Sequence, residues 1–267
     1  MPPPFAIIIP ARHASTRFPG KPLAMLRGAT GTPKTLIQRS WECATGIEGA
    51  VGVWVATDDA RIAATVRDFG GEVVMTSPDC RNGTERCAEA AAKLRDIADI
   101  VVNLQGDAPV TPAFVVPVLV EALAADPAAA MATPAIRCSA TTYDYLIADQ
   151  AEGRVGGTTV VFGQTGRALY FSKRVLPHIA PGTPNAHEAV HLHLGVYAYR
   201  RAALADYVAT PPCALEELEG LEQLRFLDAG LPVRAVPFDP PGWDCIELNN
   251  PEDVPALEQV FAARGIV

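Results

Sequence analysis

The chain has 267 residues, 49% of them apolar, a formal net charge of −8 and six scattered cysteines. That is ample apolar material for one large buried core, and no apolar run approaches the length needed to span a bilayer. The acidic balance argues against loose binding to nucleic acid or an acidic membrane. Cys43, Cys80, Cys87, Cys138, Cys213 and Cys245 form no CxxC and meet no histidine at zinc-finger spacing, so free thiols in a reducing cytoplasm are expected.

The opening "MPPPF" has no basic-then-apolar pattern of a secretory signal. "FAIII" (5–9) is a short apolar, β-branched run of the kind buried in a parallel sheet. The same signal returns at 51–57, 72–76, 99–105 and 130–136. Helix-like stretches lie between them at 33–47, 58–69, 83–97 and 112–125. "TDDARIAATVRDFG" shows the signals: an acidic start, apolar residues at helical spacing, then glycine. This alternation implies a three-layer α/β sandwich with a mostly parallel central sheet and right-handed crossovers. "TTVVFG" and "RALYFSKRVLP" read as a hairpin closed by "QTG", and "HLHLGVYAYRRAALADYV" as a strand running into a helix. "ALEELEGLEQLRFLDAG" (214–230) reads as one charged amphipathic helix. "PVRAVPF" and "CIEL" read as strands, and "PEDVPALEQVFAARG" as a terminal helix opened by Pro251. No internal repeat is visible, and 179–189 is expected to be a mobile loop.

Three stretches carry chemistry. "IIIPARHASTRFPGKPL" (7–23) ends a strand in a loop holding Arg12, Arg17 and Lys21 with small residues and prolines between. Fixed positive charge with approachable backbone suits a di- or triphosphate. The loop is neither GxGxxG nor GxxxxGK[ST], so a Rossmann or P-loop site is disfavoured. "NLQGDAP" (103–109) runs a strand into Gln105 and Asp107. A carboxylate beside a phosphate cradle makes sense with Mg²⁺ between them. "NGTER" (82–86) opens a helix after another strand. In an open α/β sheet all three fall at the carboxyl edge, where ligands bind. A solvated basic loop, a turn aspartate and a plain helix cap remain the simple alternatives for each alone.

Together with "VATDD", "ALYFSKR", "HLGVYAYRR", "LEELEGLEQLRFLDAG" and "NPEDV", these stretches resemble the CMP-Kdo synthetases in order and along nearly the whole chain. That family comprises the cytidylyltransferases that activate 3-deoxy-manno-octulosonate (Kdo). The resemblance implies a nucleotidyltransferase-type sandwich with a smaller, hairpin-containing dimerisation lobe. It implies one domain over 1–267, with 1–136 mainly binding CTP and 137–267 mainly binding the acceptor and pairing subunits. It gives Arg12, Lys21 and Asp107 the catalytic roles. Pro10, Ala11, Arg12, Arg17, Lys21, Asn82, Gly83, Thr84, Arg86 and Gln105 become nucleotide contacts, and Asp107 a Mg²⁺ ligand. Gln105, Lys173, His193, Tyr197, Glu222 and Gln223 fall where the family binds its acidic sugar. The expected protein is a cytoplasmic homodimer that takes CTP and a small acidic acceptor. An acceptor oxygen would attack the α-phosphorus in line with departing pyrophosphate, with no covalent enzyme intermediate.

Departures from the family pattern gather on the acceptor side. Ala108 stands where the family has glutamate, Leu192 where it has arginine, Thr159 where it has lysine and His178 where it has tryptophan. Asn249 replaces an aspartate that is the family's second metal ligand. Glu247, two residues back on the same expected strand, is a candidate to compensate. A phosphonate acceptor, already anionic, needs less activation than a hydroxyl, so CMP transfer to a compound such as phosphonoformate is an alternative. The cluster of His178, His191, His193, Lys173 and Arg174 would neutralise it. A nucleotide-binding relative without catalysis is a third reading.

Overall fold

The computed structural model describes residues 2–14, 17–94, 97–180, 182–242 and 247–267. Its strands are β1 (Phe5–Ala11), β2 (Met25–Arg27), β3 (Pro33–Thr35), β4 (Ala50–Thr57), β5 (Glu72–Met75), β6 (Ile100–Leu104), β7 (Met131–Arg137), β8 (Thr158–Phe162), β9 (Ala168–Ser172), β10 (His191–His193), β11 (Val196–Arg200) and β12 (Val233–Phe238). Its helices are α1 (Leu36–Thr45), α2 (Ala60–Asp68), α3 (Gly83–Lys93), α4 (Val115–Ala125), α5 (Ala140–Ala151), α6 (Arg201–Ala209), α7 (Ala214–Glu219), α8 (Leu224–Asp228) and α9 (Val254–Arg264).

The apolar runs of the first half build a continuous sheet in the order β5-β4-β1-β6, all parallel. β1 is buried along nearly its whole length, and its residues alternate between two cores. Phe5, Ile7 and Ile9 pack with residues of α1, α2 and α4, whereas Ile8 packs with α3, α6 and α8. Burying such a side chain on either face contributes about 1.5–3 kcal/mol, so a strand apolar on both faces belongs in the middle of three layers. The three-layer expectation holds. β11 pairs antiparallel with β6 and β7 and is the exception among the central strands.

Beyond β7 the pairings curl. β10 joins β7 to β8, β8 joins β9, and β12 runs parallel to β7. A bridge between Arg167 and Arg234 brings the far end of the hairpin back to β12. The expected β8–β9 hairpin is therefore present, and it belongs to this curled end of the main sheet.

Several expectations change. The first helix begins at Leu36, not 33, because residues 33–35 pair with 25–27 and Thr35 caps the helix through its side chain. The single helix expected over 214–230 is two. Gly220 adopts φ 62°, and both it and Leu221 donate to the Glu216 carbonyl, a glycine-type helix stop. Helix α5 had no expectation in the sequence. Of the "CIEL" strand, Cys245 and Ile246 lie outside the described residues, while Glu247 and Leu248 are not in a strand. Cys43, Cys80, Cys87, Cys138 and Cys213 are free thiols. The described part of 179–189 holds one 3-10 turn at Ala186–Ala189.

Candidate active site

The carboxyl ends of β1, β4 and β5 are in register, with Ala11 opposite Thr57 and Thr57 opposite Met75. β6 ends alongside them, with Asn103 opposite Ile8. The loops that leave these ends surround a cleft of about 670 Å³. Pro10, Ala11, Arg12, Arg17, Lys21, Asn82, Gly83, Arg86, Gln105, Asp107, Tyr197, Glu222 and Gln223 all line it. Thr84, Lys173, His193, Glu247 and Asn249 lie outside its lining.

The basic loop turns at Gly20, whose φ of 72° suits glycine and whose N–H donates to the His13 carbonyl at 3.0 Å. A short 3-10 turn, Lys21–Leu23, follows and aims Lys21 at β6. The Lys21 ammonium meets Asp107 Oδ2 at 2.5 Å, joining residues 86 positions apart. Arg17 donates to Asn249 Oδ1 at 3.1 Å. Arg12 has no carboxylate partner among the described residues.

Asp107 is held from two sides. The Ser40 hydroxyl donates to the Gly106 carbonyl at 2.9 Å, and the Leu248 N–H donates to the Asp107 carbonyl at 2.9 Å. The second bond ties the 247–249 segment to Asp107. Asp253 fixes that segment's other end by accepting from the N–H groups of Asn249 and Asn250. Glu247 Oε1 lies against Gly195, where an added Cβ would come within 3.3 Å. Burial and then the neighbouring Asp107 push the Glu247 carboxyl up, while Asn249, Lys21 and Arg17 pull it down. Glu247 and Asp107 thus share one field although no strand carries Glu247. Asn249 holds Arg17 in place.

The opposite wall is built differently. Asn82 caps α3 by accepting from the Glu85 N–H at 2.8 Å, and its Nδ2 donates to the Tyr207 hydroxyl at 2.9 Å. The Thr84 hydroxyl bonds Tyr199, and its N–H donates to Glu222 Oε2 at 2.9 Å. Arg86 is buried between Thr76 and Asp58. The side chains of "NGTER" are therefore committed to the scaffold, and Thr84 is removed from the cleft altogether. Behind them the Arg225 guanidinium, 1% exposed, meets Glu216 through two 2.6 Å bonds and Glu85 at 3.1 Å.

The helix break at Gly220 delivers Glu222 and Gln223 to the cleft. Glu222 lies within 3.5 Å of Gln105 Nε2, and burial pushes its carboxyl up. Gln223 Nε2 and both polar side-chain atoms of Asn103 are buried without a hydrogen-bond partner among the described residues. Tyr197 stacks between His193 and Tyr199, at 5.4 and 5.7 Å between ring centres. Burial raises its hydroxyl pKa, so it stays protonated.

His193 does not serve as a cation. Its ring packs edge-on to Phe171 and its Nε2 meets the Thr133 hydroxyl at 3.0 Å. Burial lowers its pKa to about 3. His191 is lowered as well, by burial against Phe162 and then by Arg137. The expected basic cluster thus loses two members. Lys173 is exposed, with its ammonium against Gly220, where a Cβ would come within 2.9 Å. Leu192 packs against Cys138, Leu146 and Val190, and Thr159 donates to the Arg174 carbonyl at 2.6 Å. These two departures from the family pattern are scaffold contacts beneath the hairpin.

The cleft also contains Cys80, Arg81, Pro212, Glu216, Glu217, Gly220 and Arg225, which sequence reasoning did not select. Burial and Glu89 push the Cys80 thiol up to about 12, so it is no nucleophile. The glycine inside "LEELEGLEQLR" was the one available sign that this segment bends toward the site.

Residues 6–233 match the family model described as cytidylyltransferase. The chain is 46% identical over 258 residues to the 3-deoxy-manno-octulosonate cytidylyltransferase of Maricaulis maris, with 97% of both chains covered. The chain belongs to the 3-deoxy-manno-octulosonate cytidylyltransferase family. The enzyme of that name from Chlamydia abortus is 42% identical, over 97% of this chain and 94% of its own. A solved CMP:2-keto-3-deoxy-manno-octonic acid synthetase complexed with CTP matches with a TM-score of 0.79 at 36% identity, covering 98% of each chain. This cytidylyltransferase therefore has a nucleotidyltransferase's fold, and among the described residues no helix is long and apolar enough to cross a membrane.

Proposed function

We propose that this cytidylyltransferase transfers CMP from CTP to Kdo or a closely related 3-deoxy-2-ulosonic acid and releases pyrophosphate. One observation carries the chemistry. The 2.5 Å Lys21–Asp107 pair puts the basic loop and the carboxylate strand end at a single point of the cleft. The names of relatives that cover 97% of the chain support the acceptor.

The acceptor hydroxyl releases its proton to bulk water, and its oxygen bonds to the α-phosphorus. The bond from that phosphorus to the β-phosphate oxygen breaks, and pyrophosphate leaves. Arg12, Arg17 and Lys21 neutralise the charge growing on the departing group. Gln105, Tyr197, Glu222 and Gln223 orient the sugar acid, and the Lys173 ammonium at the cleft mouth attracts its carboxylate. In this reading residues 1–136 mainly hold the nucleotide and residues 137–267 the acceptor.

The donor set suits Mg²⁺. Asp107 and Glu247 carry hard oxygen donors in one field, the Glu247 carboxyl being raised first by burial and then by Asp107. Asp107 and Glu247 would hold the ion, with Asn249 alongside. The ion would supply charge neutralisation at the phosphates and acidify the acceptor hydroxyl.

The phosphonate acceptor is not favoured. Its support was the departures at Ala108, Leu192, Thr159, His178 and Asn249 and a basic cluster of His178, His191, His193, Lys173 and Arg174. Of these, Leu192 and Thr159 are packing residues, and His193 is neutral at physiological pH. The non-catalytic reading rested on Asn249, and Glu247 answers it with a carboxylate beside Asp107. Pyrophosphate release should appear with CTP, Mg²⁺ and Kdo and be absent with phosphonoformate. The reverse result would overturn the acceptor assignment, and release with neither would overturn the transfer.

The protein is proposed to work in the cytoplasm as a homodimer paired through the hairpin. Leu169 on β9 and Leu218 on α7 are 63% and 83% exposed, apolar side chains that a second copy would cover. Sedimentation of a monomer at micromolar concentration would exclude that arrangement.

A further inference from the structure

Four consecutive residues, Cys80, Arg81, Asn82 and Gly83, line the cleft, and apart from one outer nitrogen of the Arg81 guanidinium their polar side-chain groups are already paired. The Cys80 thiol donates to Glu89 Oε2 at 3.1 Å. Arg81 Nε donates to Glu85 Oε1 at 2.8 Å. Asn82 uses its oxygen for the Glu85 N–H and its amide nitrogen for the Tyr207 hydroxyl. Gly83 has no side chain, and a Cβ there would sit 3.2 Å from Gln105 Nε2 and 3.4 Å from Asn103 Nδ2. A polar ligand edge that docks on this stretch therefore meets mostly main chain.

Part of that main chain is also in use. The Arg81 N–H goes to Glu85 Oε2 at 2.8 Å, and the Asn82 carbonyl accepts from the Arg86 N–H at 3.3 Å. The N–H groups of Asn82 and Gly83 and the carbonyls of Cys80 and Arg81 remain unbonded among the described residues. They comprise both donors and acceptors on one short arc. Cytosine and uracil differ at two adjacent edge positions: an amine that donates against a carbonyl that accepts, and a ring nitrogen that accepts against a ring N–H that donates. A fixed main-chain carbonyl welcomes cytosine's amine and repels uracil's carbonyl, and discriminates only as well as it is fixed.

The fixing comes from behind the arc. Tyr207, fully buried, holds Asn82 through its hydroxyl and stacks on Phe226 at 4.8 Å. Arg225 lies over the Tyr207 ring at 4.1 Å and binds Glu216 twice. Glu216 Oε1 accepts from the Tyr207 hydroxyl at 3.3 Å and lies 3.4 Å from Asn82 Nδ2. The third arm of Arg225 reaches Glu85, whose carboxylate holds Arg81. Three elements of the second half thus converge on Arg81 and Asn82.

The family resemblance implies that "NGTER" and its neighbouring backbone contact the cytosine. We propose that Tyr207, Glu216 and Arg225 are positioning residues that fix this backbone and so set the preference for cytosine over uracil. This rests on that reading of the segment. The test is kcat/KM for CTP and for UTP, with Mg²⁺ and Kdo, in the unaltered enzyme and in Tyr207→Phe and Arg225→Lys. Tyr207→Phe keeps the stacked ring and loses only the hydroxyl. Its CTP-to-UTP ratio should fall about five-fold, the scale of one lost neutral hydrogen bond, with the KM for Kdo little changed. Arg225→Lys, which loses the two-pronged bond, should lower the ratio further. A simple packing role would lower the melting temperature and leave the ratio alone. An unchanged ratio in folded Tyr207→Phe overturns the proposal even if Arg225→Lys does not fold. Equal use of CTP and UTP by the unaltered enzyme would instead remove the base reading of this segment, and the proposal with it.

Discussion

The two walls of the cleft use their charges in opposite ways. On the wall formed by the basic loop and Asp107, ionised groups stand partly open to solvent and pair across the site, as Lys21 does with Asp107. On the wall formed by the start of α3, the ionised groups are turned inward and bonded to one another, as Arg225 is to Glu216 and Glu85. The first arrangement keeps charge available for a ligand that brings its own. The second spends charge on shape. Damage to the second wall should therefore register as lost stability or selectivity, and damage to the first as lost rate.

The largest test of that contrast is Arg225→Met. It leaves Glu216 buried without its cation and Glu85 with Arg81 alone, and should cost about 3–5 kcal/mol of stability, read from the urea midpoint. A loss under about 1 kcal/mol, the range of an exposed pair, would place this network among surface pairs and erase the distinction. Lys21→Ala should keep the native circular dichroism spectrum and lose about 10²–10³ in kcat, the scale of removing one preorganised charge-stabilising group. Retention of more than a tenth of the rate would mean that the open wall carries no transition-state charge.

A pH titration sharpens the comparison in a third place. His193 is buried neutral with its pKa lowered to about 3, whereas an unfolded histidine titrates near 6.5. Below that value the unfolded chain binds the extra proton. Stability should fall as pH drops from about 6.5 toward 3, with a slope from this residue of up to about 1.4 kcal/mol per pH unit. His193→Asn should flatten the melting temperature across that window, and an equal slope in both proteins would restore His193 as a candidate cation. The smallest expected effect is Gly220→Ala. Its φ of 62° costs an alanine about 1–2 kcal/mol, and the new Cβ would push aside the Lys173 ammonium. Calorimetry should show the modest destabilisation, with a raised KM for Kdo and an unchanged KM for CTP.

Much of the open wall was legible in the sequence. β1 and β6 are apolar on both faces, and the residues just past their ends, Lys21 and Asp107, needed only the rule that such ends share a rim. The inward wall was not. The bonds that fix Asn82 and its neighbours were invisible: Tyr207 lies 125 positions from Asn82, and Arg225 lies 140 from Glu85. Local pattern reports propensity and periodicity, and a bond between distant turns leaves no trace in either. Helix α5 was missed for a related reason. Its buried residues are only Leu146 and Asp149, too few to print a helical stripe. The break at Gly220 was visible as a glycine, but charged residues at helical spacing on both sides outweighed it.

The placement of β11 bears on how the chain comes to be assembled. β6 and β7 are separated by a strand made about sixty residues after β7 ends, running against both. A nascent chain that has emerged only as far as the hairpin holds β6 and β7 with unpaired backbone where β11 will lie, and open strand edges invite pairing with other chains. The half of the protein that carries Lys21 and Asp107 is thus left unfinished until the half that carries Tyr197 arrives.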